Sequence, residues 1–118
     1  MKTLILYSTT YGYAEEIAKL IANRIPETTL QNIQKNKNVD LTLYDHVILG
    51  GSIYIGKVHK DLASFAAAHE SELLTKKLGL YICCLFGDKY MEELKANFPL
   101  SLIEHAYASE NFGGKLQS

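Results

Sequence analysis

Ser8-Thr9-Thr10-Tyr11-Gly12-Tyr13 joins an apolar run, Leu4-Ile5-Leu6-Tyr7, to an amphipathic run that begins at Ala14. A hydroxyl-rich loop that leaves a buried strand and enters a helix is suited to holding a phosphate. Its hydroxyls can donate to the oxygens, Gly12 lets the backbone come close, and the first free N–H groups of the helix point at the anion. No lysine or arginine lies between Thr3 and Ala18, so neutral donors and the helix dipole would carry the charge. That pattern departs from the Gly-Lys-Ser/Thr of nucleotide-hydrolysing loops and from the Gly-x-Gly-x-x-Gly dinucleotide turn. Serine and threonine are also ordinary turn and cap residues, so the loop taken alone reads equally well as a capped helix start.

The other reactive side chains form no recognisable machinery. No Ser-His-Asp or Cys-His grouping can be placed in one pocket, and no spacing suits a metal. Cys83 and Cys84 are the only cysteines and are adjacent; neighbours on a strand point to opposite faces, so both read as buried free thiols. His59 follows the Gly56 turn and fits either a proton donor or substrate contact, or an exposed first-turn histidine. His69 lies on an apolar stripe and reads as a core or rim residue, while His46 and His105 offer no constellation.

The elements that would position these residues alternate. Thr3 to Ser8 is continuously apolar and reads as a strand buried on both faces. Ala14, Ile17, Ala18, Ile21 and Ile25 recur at helical spacing, with Glu15 and Glu16 in the first turn and Pro26 ending the run. Thr28 to Ile33 reads as an outer strand, and the polar stretch Gln34 to Asn38 as an abbreviated crossover. Val47-Ile48-Leu49 predicts a strand that breaks into the turn Gly50-Gly51-Ser52. Leu62, Phe65, Ala66, His69 and Leu73 predict one helix, and Leu78 to Leu85 a buried strand ending at Phe86-Gly87-Asp88. Tyr90 to Phe98 predicts a helix stopped by Pro99, with a last strand from about His105 to Phe112. Alternating strands and helices imply an α/β doubly wound parallel sheet with right-handed crossovers. Ligands sit beyond the carboxyl ends of such strands, where strand order reverses. The Ser8–Tyr13, Gly50–Gly56 and Phe86–Tyr90 loops all lie there, and their convergence favours the phosphate reading.

The chain has 118 residues, 47% of them hydrophobic and 21% charged, with a formal net charge of −1. This suits one domain, residues 1–118, with a single core. Acidic and basic residues are interspersed, so no one-sign run points to nucleic acid or an acidic membrane. The first apolar run is too short for a signal-peptide core, and no segment approaches the ~18 apolar residues of a spanning helix. A cytoplasmic protein is expected.

The Ser-Thr-Thr-x-Gly loop, the run Tyr44-Asp45-His46-Val47-Ile48-Leu49-Gly50-Gly51-Ser52 and the turn Phe86-Gly87-Asp88 stand in the order of the flavodoxin-type FMN proteins. Within that family, Met1 to Thr9 and Ile53-Tyr54-Ile55-Gly56-Lys57-Val58-His59 most resemble the menaquinone-dependent protoporphyrinogen dehydrogenase branch. The resemblance covers nearly the whole chain. It implies a flavodoxin-like sheet of order 2-1-3-4-5 in a three-layer α/β/α arrangement, with FMN as cofactor. Ser8, Thr9, Thr10, Gly12 and Tyr13, with Tyr11 among them, would hold the phosphate. Ser52, Ile53, Tyr54, Ile55 and Gly56 would border the isoalloxazine, and Phe86, Gly87, Asp88 and Tyr90 would form a third wall. Tyr54 and Tyr90 could stack on the flavin or be surface tyrosines; Asp88 could oppose the anionic reduced form or cap the following helix.

Two features depart from the family pattern. Ala14 stands where these loops often carry another threonine. The chain also stops after Gly113-Gly114, where the pattern continues to a last helix that shares a sheet face with the first. With that helix missing, a strip of apolar sheet from the third, fourth and fifth strands is expected to meet water and to favour self-association. The function expected from the resemblance is an FMN-dependent oxidoreductase linked to a quinone or a porphyrinogen. The alternatives are a small electron-transfer flavodoxin docking with a redox protein, and a shortened non-catalytic domain.

Overall fold

The computed structural model describes residues 2–9, 12–53, 58–83 and 90–112, the backbone only at 90 and 111. The strands are β1 (Thr3–Ser8), β2 (Thr28–Asn32), β3 (His46–Ser52), β4 (Lys77–Cys83) and β5 (Ala108–Asn111). The helices are α1 (Tyr13–Ala22), α2 (Lys60–Ala68), α3 (Glu70–Leu73), α4 (Tyr90–Asn97) and α5 (Leu100–His105). All neighbouring strands are parallel, in the order β2-β1-β3-β4-β5. The chain leaves β1 outward to β2 and returns to β3 on the other side, so strand order reverses between β1 and β3.

Alternate residues of the central strands divide between two cores, because successive side chains point to opposite faces. Leu4, Leu6, Val47, Leu49, Leu78, Leu80 and Ile82 pack against Leu62 and Phe65 of α2, Leu73 of α3, Leu94 of α4 and Leu102 of α5. On the opposite face Ile5, Tyr7, Ile48, Tyr81 and Cys83 pack against Ala14, Ile17 and Ala18 of α1. These two cores give the three layers. Burying a side chain such as Ile17 or Leu62 stabilises by roughly 1.5–3 kcal/mol, which explains why α1 and α2 stay docked despite their modest length.

Several local expectations need correction. Gly50, Gly51 and Ser52 do not form a turn: they continue β3, paired with Tyr7 and Ser8 on one side and with Tyr81, Ile82 and Cys83 on the other. Packing explains the glycines. A Cβ on Gly50 would stand 1.9 Å from Tyr81 Cζ, so the tyrosine ring lies flat across a bare stretch of strand. The helix expected through Ile25 ends at Ala22, since Pro26 disfavours helical backbone at the residue before it. The single helix expected over Leu62 to Leu73 breaks at His69, which has φ −112° and ψ 22°. There the His69 ring stacks on Phe65 at 4.2 Å between centroids, and Nδ1 donates to the Phe65 carbonyl at 3.1 Å. Beyond Pro99 the chain forms α5, whose Ser101 donates to the Glu70 carboxylate, and β5 is confined to Ala108–Asn111. Between β2 and β3 there are only turns and a short 3-10 helix, Leu41–Leu43, as the polar crossover predicts.

The apolar strip expected to meet water is covered where it is described. On the α1 side Ile48, Tyr81 and Cys83 are buried. The Phe112 ring meets Tyr81 edge-on at 5.9 Å. Tyr107 lies over Gly79, its Oη 3.1 Å from where a Cβ would be, and it is the exposed large ring on this face, 53% accessible. Its hydroxyl is bound to His46 Nε2 at 2.7 Å and the Lys77 ammonium sits 5.3 Å from its centroid, so the surface it offers is polar-edged. Among the described residues no helix is long and apolar enough to cross a membrane.

Candidate functional site

β1 and β3 end side by side, and each ends in a buried serine. Ser8 pairs with Gly51, and its Oγ lies 3.2 Å from where a Gly51 Cβ would stand. Ser52 closes β3 opposite Cys83, and the ladder continues one step further through the Ile53 N–H to the Cys83 carbonyl at 3.0 Å. Both hydroxyls are buried and neither has a hydrogen-bond partner among the described residues. A buried polar group left unpaired costs about 1–3 kcal/mol, so two at adjacent strand ends need an explanation. A ligand with acceptor oxygens supplies one.

Between β1 and α1, Thr9 and Gly12 are joined directly. Thr9 Oγ1 accepts the Gly12 N–H at 2.8 Å, and Gly12 has φ 89°, the left-handed backbone that lets the chain turn into the helix. The role of Gly12 is therefore conformational, because nothing lies within 4 Å of its missing Cβ. Among the described residues no side chain caps α1, which leaves N–H groups of its first turn for a ligand. Gln34, at the start of the β2–β3 crossover, reaches back to this loop: its Oε1 accepts the Thr9 N–H at 2.8 Å.

α1 is tied to the sheet at this end by two tyrosines. Tyr81 Oη donates to the Ala14 carbonyl at 2.7 Å. Tyr7 Oη donates to Glu15 Oε1 at 3.2 Å, drawing a first-turn carboxylate onto β1. Burial, then the Glu15 charge and its hydrogen bond, push the Tyr7 hydroxyl up to about 12; burial holds Tyr81 far above the ordinary phenol range. Both stay neutral donors at any physiological pH. Burial likewise raises the Cys83 thiol to about 11, in keeping with a buried free thiol.

On the α2 side, His59 N-caps the helix: Nδ1 accepts the Asp61 N–H at 3.2 Å, and the Asp61 carboxylate pairs with Lys37 at 3.4 Å. Asn97 of α4 accepts the Val58 N–H at 3.0 Å on Oδ1, joining α4 to the segment just ahead of α2. Of the residues expected at the site, Ser8, Thr9, Gly12, Tyr13, Ser52 and Ile53 fall together at the carboxyl ends of β1 and β3, and Tyr90 opens α4. Thr10, Tyr11, Tyr54, Ile55, Gly56, Phe86, Gly87 and Asp88 lie outside the described residues. Reading residue types missed Gln34, Asn97 and the Tyr7 and Tyr81 hydroxyls. Gln34 and Asn97 sit in polar segments that resemble exposed surface, and the two tyrosines sit in apolar strands that resemble plain core. Among the described residues no cluster of His, Cys, Asp or Glu could hold a metal ion.

A doubly wound parallel sheet whose strand order reverses between β1 and β3 defines an α/β domain of the kind that takes ligands beyond the carboxyl ends of its strands. The flavodoxin domain family model matches residues 4–118, and the chain belongs to that family. Protoporphyrinogen IX dehydrogenase [quinone] of Escherichia coli (strain K12) is 33% identical over 93 residues, covering 75% of this chain and 51% of the relative. The chain thus spans about half the length of the curated relatives it matches. Among solved structures, a flavoprotein in complex with FMN from Lactobacillus acidophilus NCFM superposes with a TM-score of 0.71 at 15% identity, covering 98% of this chain and 96% of that one. Oxidised Flavodoxin 2 from Bacillus cereus superposes with a TM-score of 0.69 at 24% identity, over 95% of this chain and 84% of that one. The fold expected from the resemblance is the fold observed.

Proposed function

We propose that this chain binds FMN at the carboxyl ends of β1, β3 and β4 and acts as an oxidoreductase exchanging electrons with a quinone, a porphyrinogen being the second substrate class. The observation that carries the binding half is the pair of buried hydroxyls of Ser8 and Ser52 at the adjacent ends of β1 and β3, neither with a hydrogen-bond partner among the described residues. The donor set fits a phosphate monoester. The Ser8 hydroxyl and the α1 N–H groups donate to its oxygens, and Thr9, bound through Oγ1 to the Gly12 N–H, retains its hydroxyl proton for the same use. Thr10, Tyr11, Gly12 and Tyr13 complete the loop. Ser52 to Gly56, and Phe86, Gly87, Asp88 and Tyr90, border the ring system. FMN, when bound, supplies the two-electron chemistry, and the protein binds, orients and tunes it. Tyr7 and Tyr81 keep α1 in register with the loop, and Tyr54 offers a ring for stacking.

Likeness to a quinone-linked dehydrogenase supports the substrate class. The runner-up, a carrier between redox proteins, draws support from the flavodoxin neighbours; a net charge of −1 gives little electrostatic steering toward such partners. Stopped-flow mixing separates the two. FMN-loaded protein, reduced anaerobically, is mixed with a short-chain menaquinone or with a cytochrome. Fast, saturable reoxidation by the quinone is expected. Fast reoxidation by the cytochrome alone would replace the enzyme reading with the carrier.

A further inference from the structure

Gln34 stands in a stretch, Gln34 to Asn38, whose composition is that of a solvated linker, yet it is half-buried and locked from both sides. Just before it, the Ile33 N–H bonds to the Tyr7 carbonyl at 2.9 Å, carrying the β1–β2 pairing one residue past the strand. Its own N–H donates to Asn32 Oδ1 at 2.9 Å, and the following N–H groups of Lys35 and Asn36 both return to the Asn32 carbonyl, at 3.0 and 3.1 Å. The backbone at Gln34 is therefore a fixed base. From it the carboxamide reaches across the switch point and its Oε1 accepts the Thr9 N–H at 2.8 Å. Thr9 is in turn the residue whose Oγ1 accepts the Gly12 N–H. A continuous chain of hydrogen bonds thus runs from the end of β2, through Gln34 and Thr9, to Gly12, the residue just ahead of α1.

This chain of bonds ends on a segment that carries no cation of its own. With no lysine or arginine between Thr3 and Ala18, affinity for a dianion depends on how well the neutral donors are ordered before it arrives, since charge does not compensate for a loop that must be ordered on binding. We propose that Gln34 is a positioning residue for the phosphate: by occupying the Thr9 N–H it fixes Thr9, and through Thr9 Oγ1 the N-cap Gly12, ready for the anion, and it thereby makes the site select the phosphorylated flavin over the unphosphorylated one. The inference rests on the FMN reading above. Gln34 acts through Thr9, so its effect falls on the phosphate end of the ligand and not on the ring.

The test compares FMN and riboflavin binding, by fluorescence titration, in the unaltered protein and in Gln34→Met and Gln34→Glu, with the thermal midpoint of each flavin-free protein. Methionine keeps the length and removes the acceptor. Glutamate keeps the acceptor and adds a charge that 1 M salt screens. In Gln34→Met the FMN affinity should fall about tenfold, the size of one lost hydrogen bond in a charged site, while riboflavin affinity and the thermal midpoint stay the same. In 1 M salt Gln34→Glu should bind FMN within about threefold of the unaltered protein, as expected when the acceptor is retained. Unchanged FMN affinity in Gln34→Met, or equal loss for both flavins, overturns the proposal. If Gln34→Met fails to fold, Gln34→Glu decides alone, and a loss of FMN affinity that 1 M salt does not restore overturns it. Failure of the unaltered protein to bind FMN at all overturns the FMN reading itself, a different outcome from any of these.

Discussion

Alanine at Gly50 would place a methyl carbon 1.9 Å from Tyr81 Cζ, 2.0 Å from Cε2 and 2.5 Å from Cε1. Such distances cannot exist, so the Tyr81 ring must leave its position. It is only 2% exposed and packed under α1, and its hydroxyl gives the 2.7 Å bond to the Ala14 carbonyl. Overpacking of this kind costs typically 1–3 kcal/mol and the lost hydrogen bond about 1 more, so Gly50→Ala should destabilise by about 2–4 kcal/mol. The sign is informative. A glycine in a strand interior is ordinarily a weak point, and replacing it with alanine where the backbone allows stabilises by roughly 0.4–1 kcal/mol. Urea unfolding at pH 7 measures the difference; with a slope of about 1–3 kcal/mol per molar, the midpoint should fall by on the order of 1–2 M. In a Tyr81→Leu background the ring is gone, and the same alanine should cost less than about 1 kcal/mol, a coupling that only contacting residues show. An unchanged or raised midpoint in Gly50→Ala, or an equal loss in both backgrounds, would show that Gly50 does not serve the Tyr81 ring.

Gly12→Ala should weaken FMN binding and lower the thermal midpoint through backbone strain alone, about 1–2 kcal/mol for an L residue at φ 89° with no clash to relieve; Gly12→Asn should lose less, and equal behaviour of all three would remove the strain argument. His46 is held below its ordinary 6.5 by burial and then by Lys77, so the unfolded chain takes up a proton first. The stability this gives is complete above pH 6.5 and is lost as pH falls toward the lower folded value; urea midpoints from pH 8 to pH 5 should show a decline that His46→Gln reduces. Cys83, with its thiol raised to about 11, should resist iodoacetamide at pH 8 in the folded protein and react in urea, as peptide mass spectrometry would record.

The central strands were legible because they are buried on both faces, and a continuous apolar run such as Leu4-Ile5-Leu6 or Val47-Ile48-Leu49 has few other uses in a short α/β chain. Gly50 and Gly51 have the composition of a turn, because glycine is poor in strands unless another group needs the space, and the group that needs it at Gly50, Tyr81, lies in a different strand. His69 looked like one more member of an apolar stripe, although its ring bonds to the Phe65 carbonyl where the helix breaks. α5 was missed because its six residues bury only Leu102. At the candidate site, Ser8, Thr9 and Gly12 stand out by type and order. Gln34 did not, since a polar residue in a polar linker signals exposure and only the register of β2 on β1 brings it to Thr9. His46 has no constellation near it in the sequence, because its partners are Thr3, 43 positions away, and Tyr107, 61 positions away. Such partners come from topology, which residue order alone conceals.

The binding half of the function can be tested with flavin-free protein and two ligands. Titration with FMN, followed by quenching of flavin fluorescence and a shift in its visible spectrum, should saturate at one equivalent, and lumiflavin, which lacks the phosphate and its donors' share of the energy, should bind at least about tenfold less tightly. No saturable binding of FMN, or equal affinity for the two, would contradict a site built around the Ser8 to Tyr13 loop.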